Sequence, residues 1–168
     1  MTKILSISDK KENAFLRKKL PPLDFSKISR RELRELIAKM RVTMKKAIGI
    51  GLAANQIGRT ERLFVAQVTS SRESGSDEKF YAVLNPKIVK SSGSKIEMEE
   101  GCLSVPRRYG VVPRFERVVL EGYNLEGKKI KLKARGLLAR VFQHEVDHLD
   151  GKVFVDRTKK IYEVRKPE

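Results

Sequence analysis

The sequence predicts an α+β fold: mostly antiparallel sheets packed around a central metal-binding helix, with an amphipathic helix near the N-terminus. Three observations carry this expectation. Short apolar–polar runs bounded by turn residues fill the middle of the chain, from Arg62 to Lys133. Helical repeats flank them, from Ser29 to Ala47 and from Gly136 to Leu149. The second repeat also holds both histidines of the protein, at 144 and 148.

A length of 168 residues fits one domain, 1–168, with a real core. Lys and Arg number 37 against 21 Asp and Glu, a net charge of +16, with 40% hydrophobic and 35% charged residues. That balance excludes a disordered chain and describes a folded protein with a basic surface, which attracts nucleic acid and other polyanions. A single cysteine, Cys102, excludes an internal disulfide and points to a reducing cytoplasm. The run from Met1 to Ser8 is too short for a signal peptide, and no stretch reaches transmembrane length, so no membrane partner is expected.

In chain order, Lys10 to Lys19 is basic and irregular, and Pro21-Pro22 ends it. Ser29-Arg30-Arg31-Glu32 is a capping box opening a helix. Leu33, Leu36, Ile37, Met40, Met44 and Ala47 share its apolar face, and the Arg/Lys face opposite is solvated or free to meet RNA. The helix stops at Gly49-Ile50-Gly51-Leu52-Ala53-Ala54-Asn55-Gln56. A dinucleotide fingerprint of similar spelling must follow a strand, whereas this one follows a helix, which excludes it. Two readings remain for the glycine pair: a helix cap and turn, or a close approach of a strand or an extended ligand.

Arg62 to Val68 and Phe80 to Leu84 read as strands, with Thr69 to Lys79 a solvent loop between them. Asn85-Pro86 signals a turn. Lys87 to Val89 and Lys95 to Met98, flanking Ser91-Ser92-Gly93, suggest a hairpin. Arg117 to Tyr123 and Lys129 to Lys133, around Asn124-Leu125-Glu126-Gly127, suggest a second.

The last helix carries the chemistry. Leu137, Leu138, Val141, Phe142 and Leu149 keep helical spacing through Gln143-His144-Glu145-Val146-Asp147-His148. At about 100° per residue, His144 and His148 stand roughly 40° apart and Glu145 roughly 60° from His148. Two imidazoles and a carboxylate on one helix edge suit two metal ligands and a water-activating base. Zinc peptidases share the pattern but take a third ligand downstream. Only 20 residues follow His148, and their acids sit on no clear helix, so an upstream ligand stays open. Cys102, in Glu99-Glu100-Gly101-Cys102-Leu103-Ser104-Val105-Pro106, reads two ways. It is a small buried hydrophobe, or a thiolate completing two imidazoles with one corner left for water.

Three segments, Gly49 to Gln56, Glu100-Gly101-Cys102-Leu103-Ser104 and Gln143 to Leu149, resemble in order and spacing the signature motifs of the peptide deformylase family. The likeness runs from about Ser29 to Asp156, and the three motifs together are highly specific. It implies an enzyme that removes the N-formyl group from the starting methionine of nascent polypeptides and releases formate. Cys102, His144 and His148 would hold one divalent metal ion, Fe(II) being expected and Zn(II) or Ni(II) compatible with the donor set. The ion would lower the pKa of its water, with Glu145 as general base and acid. The Gln56 amide and the Leu103 N–H would donate to the developing oxyanion. The peptide would lie extended beside Ile50, Gly51 and Gly101, its methionine in a pocket drawing on Ile50, Leu137 and Val141. Arg140 is expected at the pocket mouth with its guanidinium wet, and Asp147 to accept from a ligand histidine or to pair with an arginine such as Arg114.

Departures from the family pattern are an N-terminal stretch, Ser8 to Phe25, without an Asp-Pro start, and Arg107-Arg108 where small residues are common. The chain also stops soon after Val155, without the long terminal helix that some members dock on ribosomes. Surplus positive charge is a possible substitute for ribosome association. Two other classes stay open: a zinc peptidase on the same helix, and a basic RNA- or ribosome-binding module with a closed structural metal site.

Overall fold

Ser29 opens the longest helix: its hydroxyl accepts from Glu32 N–H (3.2 Å), and the Glu32 carboxylate accepts from Ser29 N–H (2.8 Å). The computed structural model describes residues 2–69 and 78–164. Within them the order is α1 (Lys10–Leu16), α2 (Arg30–Lys46), β1 (Gly51–Ala53), β2 (Leu63–Thr69), β3 (Glu78–Cys102), β4 (Val105–Tyr123), β5 (Lys129–Arg135), α3 (Gly136–Leu149) and β6 (Ile161–Glu163). The fold is α+β, as expected. The strands form a six-stranded sheet in the order β1-β2-β3-β4-β5, with β6 on β4 and every pairing antiparallel.

Helices cover both faces of this sheet. Leu33, Leu36, Ile37, Met40 and Met44 of α2 pack with Leu63 and Val65 of β2, whereas Phe64 and Ala66 pack with Ala139, Val141, Phe142 and Leu149 of α3. Successive strand residues point to opposite faces. A strand buried on both faces is therefore apolar without alternation, which accounts for the run Leu63-Phe64-Val65-Ala66. Each large side chain so buried contributes about 1.5–3 kcal/mol. The C-terminal end of α3 is tied down: Arg62 donates to Leu149 O (2.9 Å) and Asn55 Nδ2 donates to His148 O (2.6 Å).

Three local expectations are corrected. The basic N-terminal stretch is not irregular: Asp9 accepts from Lys11 and Glu12 N–H (both 2.9 Å) and starts α1. Asn85-Pro86 is not a turn, and Ser91-Ser92-Gly93 is not a hairpin loop. Both lie inside β3, where the register against β4 shifts between Leu84 and Lys87 and between Ser92 and Lys95. Asn85 (φ 48°) and Gly93 (φ 79°) adopt left-handed backbone there, and the strand bulges where a reversal was expected. Arg62 to Val68 matches β2, and Phe80 to Leu84 lies within β3 as its partner. The expected loop from Thr69 to Lys79 lies mostly outside the described residues. The Asn124 to Gly127 hairpin forms as expected, with Tyr123 opposite Lys129. Among the described residues, no helix is long and apolar enough to cross a membrane.

Candidate metal centre and active site

Gly136, at φ 58°, lets β5 turn directly into α3 and aims one edge of that helix at the β3–β4 turn. On that edge the His144 and His148 rings lie 4.9 Å apart, with their Nε2 atoms 3.2 Å apart. The tight turn that pairs Cys102 with Val105 brings Cys102 Sγ to 3.2 Å from His148 Nε2. One ligand atom from each of Cys102, His144 and His148 lies within 4.8 Å of the others, and among the described residues no fourth acid, cysteine or histidine joins them.

This donor set fits a metal ion. Bond lengths for a tetrahedral zinc-type ion place two ligand nitrogens roughly 3.3 Å apart and nitrogen and sulfur roughly 3.5 Å apart. The observed contacts of 3.2 Å are close to those edges. Three protein ligands with a free corner describe a catalytic site better than a closed structural one.

Burial and charge tune the surroundings. Glu100 is buried beneath the site: it accepts from His144 Nδ1 (3.0 Å), from Arg114 Nε and Nη2 (2.9 Å each) and from Arg140 Nη1 (2.6 Å). Burial alone would raise its pKa, but His144 and Arg114 hold it far below the carboxylate range. With Nδ1–H given to Glu100, His144 presents the Nε2 lone pair to the centre. Burial works against a charge on His144, yet Cys102 and Glu100 raise its pKa well above the ordinary value. Burial and then the His144 charge push His148 well below it. Burial raises the Glu145 carboxyl to about 7, and its Oε2 is buried with no hydrogen-bond partner in the structure. Gly51 makes room for that carboxylate: a Cβ there would lie 2.8 Å from Glu145 Cδ.

Gln56 is fixed at both ends of its amide. Its Oε1 accepts from Ala53 N–H (2.8 Å), while Nε2 donates to Ser104 Oγ (3.1 Å) and faces Cys102 Sγ at 3.6 Å. A cavity of about 530 Å³ opens here, lined by Ile50, Gly51, Gln56, Gly101, Cys102, Leu103, Leu137, Val141, His144 and Glu145 among others. Every residue expected to ligate the metal, act in catalysis or bind substrate lines it except His148, which is fully buried. Ile50 and Leu137 are half exposed at its rim and Val141 is buried.

Residues 1–163 match the Polypeptide deformylase family. The chain belongs to the peptide deformylase family. Its relatives include the peptide deformylases of Halothermothrix orenii, 41% identical over 148 residues and covering 88% of this chain and 90% of that one, and of Chloroflexus aurantiacus, 38% identical and covering 97% and 90%. A probable peptide deformylase from Synechococcus phage S-SSM7 superposes with a TM-score of 0.81 at 38% identity, covering 94% of this chain and 100% of its own. The Met-Ala-Ser-bound class I type b enzyme of Acinetobacter baumannii gives 0.81 at 30% identity, covering 92% and 96%. The chain is accordingly a hydrolase of the peptide deformylase class.

One supporting role differs from the expectation, and a second follows one of its two alternatives. Arg140 is not wet at the mouth: it is 5% exposed, and its guanidinium donates to Glu100 and to the carbonyls of Val112 and Ile96. A buried carboxylate needs countercharge, and Arg140 and Arg114 supply it. Asp147 pairs with Arg114, as expected of one alternative, and also with Arg157; Glu100 is the carboxylate that accepts from His144. Glu100 and Ser104 went unassigned although both stand in the cysteine motif. Two arginines in apolar surroundings, Val112-Pro113-Arg114 and Leu138-Ala139-Arg140-Val141, were the available signal for a buried acid.

Proposed function

We propose that this protein removes the formyl group from the N-terminal formyl-methionine of nascent polypeptides in the cytoplasm, as a metal-dependent enzyme in which Glu145 moves the proton. The observation that carries this reading is the convergence of Cys102, His144 and His148 on one point, open on one side to a cavity that also holds Glu145.

A divalent ion held by those three residues, with Fe(II) expected and Zn(II) or Ni(II) compatible, supplies Lewis acidity toward the attacking water and the formyl oxygen. The chain's own groups do the rest. The unpartnered Oε2 of Glu145 accepts a proton from the attacking water and returns it to the amine nitrogen as the C–N bond breaks, so that formate and a free N-terminus leave. A carboxyl that burial raises to about 7 suits both transfers near neutral pH. Gln56 Nε2, already beside Cys102 Sγ, and the Leu103 N–H donate to the formyl oxygen as the carbon becomes tetrahedral.

The outer edge of β1 is unpaired among the described residues, and across the cavity from it runs the end of β3. An extended peptide pairs there with Ile50 and Gly51 on one side and Gly101 on the other, as an added strand. Ile50, Leu137 and Val141 take the methionine side chain. The charge of +16 favours contact with ribosomal RNA, which salt-dependent co-sedimentation with ribosomes would reveal.

The test is formate release from formyl-Met-Ala-Ser by protein loaded anaerobically with Fe(II). Cleavage of blocked internal peptides without formate would establish the peptidase alternative instead.

A further inference from the structure

Arg107 and Arg108 stand just past the turn that delivers Cys102, and both line the cavity with exposed side chains. Their backbone is anchored by the segment 163–164. Arg108 pairs with Glu163 of β6, and Arg107 O accepts from Val164 N–H (2.9 Å). The guanidinium groups therefore project from a fixed base into the mouth of the groove. Little opposes their charge. The ion pair of Arg107 with Glu163 is long, 3.9 Å, with both partners more than half exposed, so it contributes little. Arg108 has no carboxylate within 4.0 Å among the described residues. Glu99, an exposed acid of the same wall, accepts from the Tyr162 hydroxyl and keeps its charge, so two guanidinium groups face one accessible carboxylate there, while Glu100 and Glu145 are buried.

An extended chain advances about 3.3 Å per residue, so a peptide with its methionine seated inside brings its second and third residues to this mouth. We infer that Arg107 and Arg108 are specificity-determining residues that select formylated substrates with an acidic side chain at the second or third position, and reject basic ones. This rests on the deformylase reading and narrows its substrate class.

The metal-loaded enzyme is assayed at low ionic strength on formyl-Met-Ala-Ser and on its variants with Glu or Lys at position two or three. Exposed pairs of this kind give a KM about three- to tenfold lower for glutamate than for lysine at the better-placed position. At about 1 M salt the screening length falls to roughly 3 Å and the ratio moves toward one. Arg108→Glu reverses the preference. Arg107→Asn, a residue that tolerates the left-handed backbone found there (φ 62°), narrows it. Calorimetric binding of the deformylated products Met-Glu-Ser and Met-Lys-Ser, with Met-Ala-Glu and Met-Ala-Lys for the third position, reproduces the order without turnover. Equal KM values at both positions, or a preference untouched by salt and by Arg108→Glu, overturns the inference. Failure to turn over formyl-Met-Ala-Ser itself overturns the deformylase reading instead, and product binding still decides the role of the arginines.

Discussion

Glu100→Gln is the substitution that asks most of this structure. It changes little volume, replaces no candidate metal ligand, and removes one buried charge facing Arg114, Arg140 and His144. Arg114 keeps Asp147, and Arg140 keeps the Val112 and Ile96 carbonyls, so neither arginine is wholly abandoned. The new amide nitrogen nevertheless sets a donor against a ring or guanidinium donor. Breaking a buried ion pair at one end costs about 3–5 kcal/mol. In a chain of this size each kcal/mol moves Tm by about 2–4 °C, which predicts a fall of roughly 6–20 °C.

The assay is thermal unfolding of metal-free protein, so that lost metal affinity does not enter the result. Glu97→Gln, which removes only an exposed partner of Lys160 (3.2 Å), is the control and should move stability by less than about 1 kcal/mol. Separately, loss of the acceptor on His144 Nδ1 should weaken metal binding about 10–100-fold, read by competition with a chelating dye. A metal-free Tm within about 2 °C of the parent, whatever the metal affinity, would refute the view that Glu100 neutralises a buried cluster.

The other predictions concern the reacting groups and pH. Glu145→Ala should lower kcat at least about 100-fold while metal content, measured by atomic absorption, stays at one ion; loss of the ion would mean that Glu145 is a ligand. Cys102→Ser exchanges a thiolate for a poorer, harder donor, so the protein should purify with less metal or a different one; unchanged content and rate would remove Cys102 from the site. Gly51→Ala puts a methyl 2.8 Å from Glu145 Cδ without disturbing a left-handed backbone. Turnover should drop roughly 100-fold while Tm and metal content hold, and an unaffected rate would show that the Glu145 carboxylate has room to move. Glu100 and Asp147 both have folded pKa values below their ordinary 4.5 and 3.8. A depressed carboxyl stabilises fully above its unfolded pKa and loses that contribution as pH falls. Urea midpoints should therefore decline below about pH 4.5, and less steeply in Glu100→Gln.

What the sequence disclosed and what it withheld follow a physical division. The α2 cap was legible because Ser29 and Glu32 satisfy each other across three residues, and the Asn124 to Gly127 hairpin because its turn residues separate two alternating apolar–polar runs. The candidate ligands were legible for a different reason: with two histidines and one cysteine in the chain, few combinations exist. Asn85 and Gly93 misled because left-handed backbone serves a turn and a bulge equally well. Which one forms depends on β4, whose Glu121 and Phe115 resume the pairing beyond each shift. Arg114 and Arg140 in apolar surroundings signal a buried acid, but that it is Glu100 depends on the fold for the same reason, its partners standing 14, 40 and 44 residues away. A motif identifies groups that can meet a substrate, since their chemistry is scarce and their spacing local. The ions that fix those groups are common residue types, and only the fold says which of 37 cations faces which of 21 anions. The charge balance beneath the two imidazoles is therefore a property of the sheet and helix together, and it is there that a conservative substitution should cost most.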